Sequence, residues 1–270
     1  MTAIVITGIG LISPAGLSLE ASRSAAFPLK PSEDTTAFPP HPDLPRVTPV
    51  TDQFSLKGIV KKRKTIKLMA RANQFAVAAT DEAIKTAELP ASLLSSAGMF
   101  MAIGREPSDL NALLPSVMNS TTNGQIDLNT LFTEGVNWIN PLSSLKTLPN
   151  MSLAHAAIHV GLMGPNMALY GPDAFSKCIE SARTALDQRR CEIAFVGGAD
   201  SCTSLFDRLA LAREFPTEVA GEGAAMFILE TRDSASRRGA KIFAELDAIY
   251  NNDGVMRFGY CGAATQPMSV

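Results

Sequence analysis

Residues 164–200 read GPNMALYGPDAFSKCIESARTALDQRRCEIAFVGGAD, and their alternation of apolar runs and breakers decides the fold. Met167-Ala168-Leu169-Tyr170 has the length and composition of a buried strand. Gly171-Pro172-Asp173 punctuates it, and Asp173 suits the opening of a helix. Phe175, Cys178, Ile179, Ala182 and Leu186 then recur at steps of 3, 1, 3 and 4 residues, one apolar face of a helix. Arg189 and Arg190 are expected to close that helix in its last turn, where cations complement the macrodipole. Ile193 to Val196 reads as a second strand, expected to stop at Gly197-Gly198.

A strand feeding a sharp turn at a helix N-terminus is a place where enzymes hold a nucleophile. The unpaired N–H groups and the dipole there lower a thiol's pKa and can hold an oxyanion. Here the turn carries Gly171, Pro172 and Asp173, with no Cys, Ser or Thr.

The spacing from Gly164-Pro165 through this helix to Gly197-Gly198-Ala199 resembles the β-ketoacyl synthases of the thiolase-like fold, and further motifs agree in order. Ile4 to Gly16 is similar to the family's opening strand and loop, and Lys67 to Ile84 to its first long helix. Leu148-Pro149-Asn150-Met151 precedes the next helix as in the family. Gly221 to Glu230, followed by Arg238 to Leu246, resembles the end of its N-terminal half. The resemblance implies an α/β fold: a three-layer thiolase-like half with a mixed, mostly parallel five-stranded sheet and helices on both faces. Residues 1–250 would form this domain, with a Pro-rich excursion at 26–50, and 251–270 a tail or partner-binding arm.

The departures from the family are as informative. The family's nucleophilic cysteine falls on Asp173 when counted from Gly164-Pro165 and on Pro172 when counted back from Gly197-Gly198, so no catalytic residue is assigned. The glutamine associated with chain-length factors at this position is also missing. The family relies on two histidines and a lysine in a C-terminal half, and Val270 is where that half would begin, so the expectation is half a synthase without its nucleophile.

Elsewhere the sequence excludes more than it assigns. A net charge of −2 gives no basic field for nucleic acid, and no apolar run has the length of a membrane span. The apolar N-terminus reads as a strand and not as an export signal. The four cysteines (Cys178, Cys191, Cys202, Cys261) form no C-x2-C pair, so reduced thiols in the cytoplasm are expected. Gly8-Ile9-Gly10 after a strand lacks the third glycine of a dinucleotide fingerprint, and no P-loop Lys-Ser/Thr follows Gly221-Glu222-Gly223. His155 and His159 have the i, i+4 spacing of metal ligands, but no third ligand is identifiable. Neither cofactor nor metal is expected.

Lys61-Lys62-Arg63-Lys64 with Lys67 is the densest basic cluster. It reads as a solvated face or, by the resemblance, as a docking patch for an acidic acyl carrier protein. Also by resemblance, the strand before the nucleophile pairs across a dimer axis, making Asn166, Met167, Ala168, Leu169 and Tyr170 a partner-interface candidate. Val117, Met118, Leu131 and Phe132 fall where paired synthases line the acyl tunnel, and ordinary core packing reads equally well there. The function implied is a chain-length-factor-like subunit that pairs with a full-length, active ketosynthase in fatty-acid or polyketide-type elongation. Two alternatives stay open: a divergent acyltransferase using Cys178, and an acyl-carrier or acyl-CoA binding module.

Overall fold

A computed structural model describes residues 3–25, 29, 43–51, 53–104, 110–171, 173–214 and 219–246. Most of the Pro-rich stretch, Pro172 and the 251–270 arm lie outside the described residues. In chain order, β1 (Ile4–Ile12), α1 (Leu19–Arg23), β2 (Val47–Thr48), α2 (Arg63–Ile66) and α3 (Arg71–Thr86) lead to β3 (Gly98–Ile103). Then come α4 (Leu110–Asn119), the hairpin β4 (Thr121–Thr122) and β5 (Gln125–Ile126), α5 (Leu128–Thr133), α6 (Ser144–Thr147) and α7 (Met151–Val160). The decisive stretch supplies β6 (Asn166–Tyr170), α8 (Ala174–Asp187) and β7 (Ile193–Ser201). The described chain ends through α9 (Leu205–Glu214), β8 (Ala220–Thr231), α10 (Arg232–Arg237) and β9 (Ala244–Leu246).

Strand periodicity sorts the core into two layers. On β3, Met99, Met101 and Ile103 join Phe195 of β7 and Met226 and Ile228 of β8 beneath α3 and α7. Their neighbours Phe100, Ala102, Ala194, Val196, Phe227 and Leu229 turn the other way, against Phe175, Cys178, Ile179 and Ala182 of α8. Successive side chains of a strand point to opposite faces, so one sheet buried on both sides yields two cores. The three-layer α/β architecture expected from the sequence is present.

The sheet is wider and more evenly mixed than expected. Its order is β6-β3-β7-β8-β1-β9, with two-residue β2 beside β8, seven strands in all among the described residues. The β6-β3-β7 block is parallel, as its crossover helices require. β7, β8, β1 and β9 are joined antiparallel, and β2 pairs parallel to β8.

Several boundaries move for physical reasons. The first long helix begins at Arg71, because Ala70 at its N-cap is extended, and Lys67 belongs to the end of the separate turn α2. α8 ends at Asp187, before the two arginines. Arg189 takes the left-handed conformation at φ 56°. Its N–H bonds the Leu186 carbonyl, and Arg190 N–H bonds the Ala185 carbonyl, which is the Schellman arrangement more often built on glycine. Gly197 and Gly198 do not stop β7, which continues to Ser201, and Gly221 and Gly223 lie inside β8 and not in a turn. A Cβ at Gly197 would sit 2.3 Å from the Ala225 carbonyl oxygen, so close strand approach is what this glycine serves.

Candidate functional site

The parallel strands β6, β3 and β7 bring Tyr170, Ile103 and Ala199 side by side at their carboxyl ends, and ligand sites of open α/β sheets form outside such ends. There β6 gives way to Gly171, whose φ of +120° suits glycine, and α8 starts after Asp173. Asp173 occupies the N-cap position, but its carboxylate makes no capping hydrogen bond. It faces Lys177 one turn on, 3.9 Å from Nζ, and both side chains are largely exposed. The expected cap is therefore a loose surface ion pair. A negative charge at a helix start is favourable to the dipole, and it repels any oxyanion brought to the same N–H groups.

The nearest thiol on α8 is out of reach. Cys178 is 0% exposed, enclosed by the α8–sheet core, and burial pushes its pKa up to about 12. Roughly one such thiol in 10⁵ is ionised at pH 7, and the thiolate is the nucleophile. This removes the structural support for a Cys178-based acyltransferase. Cys191 and Cys202 are likewise buried. A cavity of about 20 Å³ between α8 and the sheet is lined by apolar side chains, among them Phe175, Ile179 and Phe227, and offers no polar group.

With this strand–turn–helix in place, comparison with known families becomes decisive. Residues 1–214 match the model of the β-ketoacyl synthase N-terminal domain. The chain belongs to the β-ketoacyl synthase family. Over 280 residues it is 26% identical to the actinorhodin polyketide putative β-ketoacyl synthase 1 of Streptomyces coelicolor, covering 90% of this chain and 56% of that protein. It is 24% identical to the 3-oxoacyl-[acyl-carrier-protein] synthase 2 of Staphylococcus aureus, covering 90% and 61%. The chain thus spans little more than half the length of these relatives. Among solved structures, a type II polyketide acyl-carrier protein–ketosynthase complex contains a similar chain, with a TM-score of 0.70, 18% identity, and coverage of 92% of this chain and 68% of that one. The ishigamide ketosynthase/chain length factor aligns with a TM-score of 0.65 at 21% identity, covering 90% and 62%.

In this ketosynthase domain the other sequence-derived candidates separate in space. Lys61, Lys62, Arg63, Lys64 and Lys67 are all exposed on and around α2, and none has an acidic partner among the described residues. Asn166 to Tyr170 form the outer strand β6, paired to β3 on one side, with Tyr170 66% exposed. Val117 and Leu131 are half-buried, whereas Met118 and Phe132 are 65% and 71% exposed on α4 and α5. Gly135, in the turn after α5, packs closely on the C-terminal half of α4. A Cβ at Gly135 would lie 2.8 and 2.9 Å from the buried hydroxyls of Ser120 and Ser116. Met118 lines an open depression with Leu114, Pro115 and Asn119.

The two histidines serve α7 packing. His155 is buried and donates to the Leu68 carbonyl, with burial lowering its pKa, while His159 lies 3.5 Å from Asp81 of α3. Among the described residues no group of three ligating side chains is placed to hold a metal ion. Gly8 and Gly10 bring β1 against α3: a Cβ at Gly10 would fall 1.9 Å from the Ala79 carbonyl oxygen. That close contact with α3 accounts for the Gly-x-Gly without a nucleotide.

Sequence reasoning missed two fully buried carboxylates that pair with arginines. Glu222 and Glu230, both 0% exposed, bracket the apolar run of β8 and pair with Arg71 and Arg238. The available signal was an acid at each end of a run otherwise made of Gly, Ala, Met, Phe, Ile and Leu. Such an acid is buried only when partnered.

Proposed function

We propose that this chain is a non-catalytic, chain-length-factor-like subunit that pairs in the cytoplasm with an active β-ketoacyl synthase and takes part in fatty-acid or polyketide-type acyl elongation. The observation that carries this reading is the start of α8, where the resemblance puts the family's nucleophile on Pro172 or Asp173 and neither is nucleophilic, with the neighbouring thiol of Cys178 sealed in the core. The ketosynthase/chain length factor similarity supports it at the level of fold.

Three surfaces take roles in this assembly. β6 is an uncharged edge strand without proline, the kind of edge that needs a cover, and it supplies the partner interface. Met118 and Phe132, with Val117 and Leu131 behind them, face the partner or the acyl chain. The basic cluster at Lys61–Lys67 receives an acidic carrier protein. Residues 1–250 act as one unit. Among the described residues no helix is long and apolar enough to cross a membrane.

The test is co-expression with a ketosynthase from the same source, followed by mass measurement and an elongation assay. A one-to-one complex that elongates only when both chains are present supports the subunit reading. A monomer that ignores every synthase offered but binds acyl-carrier protein overturns it in favour of a carrier-binding module.

A further inference from the structure

The basic cluster sits on a segment with a defined base. Residues 53–70 run between Val50 and Arg71, and both flanks are held by the carboxylate of Glu222. Val50 N–H donates to Glu222 Oε1 at 2.9 Å. Arg71 Nε donates to both Glu222 oxygens at 2.7 Å, and Arg71 Nη2 donates to the Val50 carbonyl at 3.1 Å. One ion pair therefore closes the loop covalently flanked by these residues. The carboxylate itself is fixed: it lies on β8, fully buried, and Oε2 also accepts from Ser201 Oγ at 2.8 Å and Thr203 Oγ1 at 3.2 Å.

The segment has an inner and an outer side. Leu56 and Met69 are buried in the core, and Phe54 meets Phe75 edge-on at 4.9 Å between ring centroids. Arg71 lies over that same Phe75 ring at 5.2 Å. Outward stand Lys61, Lys62, Arg63, Lys64 and Lys67, five exposed cations without acidic partners among the described residues. A backbone that holds long cationic side chains in one array lowers the ordering cost of docking an acidic partner in one register.

We propose that Glu222 and Arg71 are positioning residues, the clasp that holds segment 53–70 in the geometry in which its cations dock an acidic protein surface. The proposal rests on the carrier-docking role assigned above. It also links docking to the C-terminal end of β7, because Ser201 and Thr203 share the carboxylate with the loop.

Arg71→Lys keeps the charge but cannot reach Glu222 and the Val50 carbonyl with one planar fork. Its secondary structure should be unchanged by circular dichroism. Trypsin should cut at Lys57–Lys67 roughly tenfold faster than in the unaltered chain, with Val50 N–H losing exchange protection. Affinity for the acyl-carrier protein of the similar type II complex should fall roughly tenfold. Glu222→Gln should give the same cleavage pattern, and if it fails to fold, Arg71→Lys decides alone. Full protection of the segment in Arg71→Lys would overturn the clasp, and a loosened segment with unaltered carrier affinity would overturn its docking role. Lys61→Glu with Arg63→Glu and Lys64→Glu tests the underlying reading separately. Unchanged carrier binding in that variant sinks docking, while the cleavage pattern, read without carrier, still decides the clasp. Binding to phosphatidylserine vesicles in place of the carrier would assign the array to a membrane surface and overturn the protein-docking proposal.

Discussion

Asp173 and Cys178 lie on the same helix in opposite environments, and the contrast fixes what α8 can do. The carboxylate stands in solvent at the N-terminus, and the thiol, about one and a half turns further in, contacts only the core. Native protein treated with iodoacetamide at pH 8 is expected to leave Cys178 unmodified by mass spectrometry, and unfolding in guanidinium to expose it to full labelling; native-state modification would return Cys178 to the list of nucleophiles. Asp81 makes a second residue-level prediction. A hydrogen bond from His159, reinforced by Lys85 and opposed by burial, holds its pKa below the ordinary 3.8. Because the folded value is the lower one, the stabilisation is present above pH 3.8 and is lost as pH falls through the depressed value. Urea unfolding of Asp81→Asn should therefore show lower stability than the unaltered chain at neutral pH, with the difference closing as pH falls below 3.8 and through the depressed value. A difference that persists in acid would assign the effect to packing.

Glycine has distinct uses in different elements. In β1, Gly10 lets α3 lie directly on the sheet, and its missing side chain is space already taken by the Ala79 carbonyl. Backbone cannot retreat as a flexible side chain can, so Gly10→Ala should cost about 3 kcal/mol or more in urea unfolding. At the end of α7, Gly161 has φ +77° and open space around its Cβ direction. There Gly161→Ala should cost only the left-handed backbone penalty, about 1–2 kcal/mol. Equal costs at the two sites would show that α3 shifts to accommodate a methyl group. Arg189 stands in the same left-handed region without glycine's freedom, so the α8 terminus carries backbone strain that the Schellman hydrogen bonds hold in place.

Across the whole molecule, two ion pairs to buried carboxylates tie elements distant in sequence to the central strand β8. Arg71 brings in the N-terminal segment, and Arg238 binds Glu230 at 2.6 Å while donating to the Ala87 carbonyl at the end of α3. Arg232 and Glu245, by contrast, pair at the half-exposed surface. Removing Arg238 strands a buried carboxylate, so Arg238→Ala should lose about 3–5 kcal/mol. Arg232→Ala should lose less than about 1 kcal/mol. Chemical unfolding of both variants side by side checks the ranking, and a small loss for Arg238→Ala would mean that water reaches Glu230.

The sequence by itself determined whatever depends on near neighbours. Apolar runs and a 3.6-residue period placed β6, α8 and β7, and the same periodicity already set Cys178 on a buried face. Motif order pointed to the family, and the absence of Cys, Ser and Thr from the Gly171-Pro172-Asp173 turn was legible directly. Tertiary structure alone decided why glycines sit inside β7 and β8, since the obstacles are carbonyls of other strands. It alone joined Glu222 to Arg71, 151 residues apart. It also split the basic cluster from the long helix, turned Met118 and Phe132 outward, and evened the balance of parallel and antiparallel pairs. The division follows from range: helix and strand formation reads local spacing, whereas close approach, charge burial and strand order are settled only when distant segments compete for the same space.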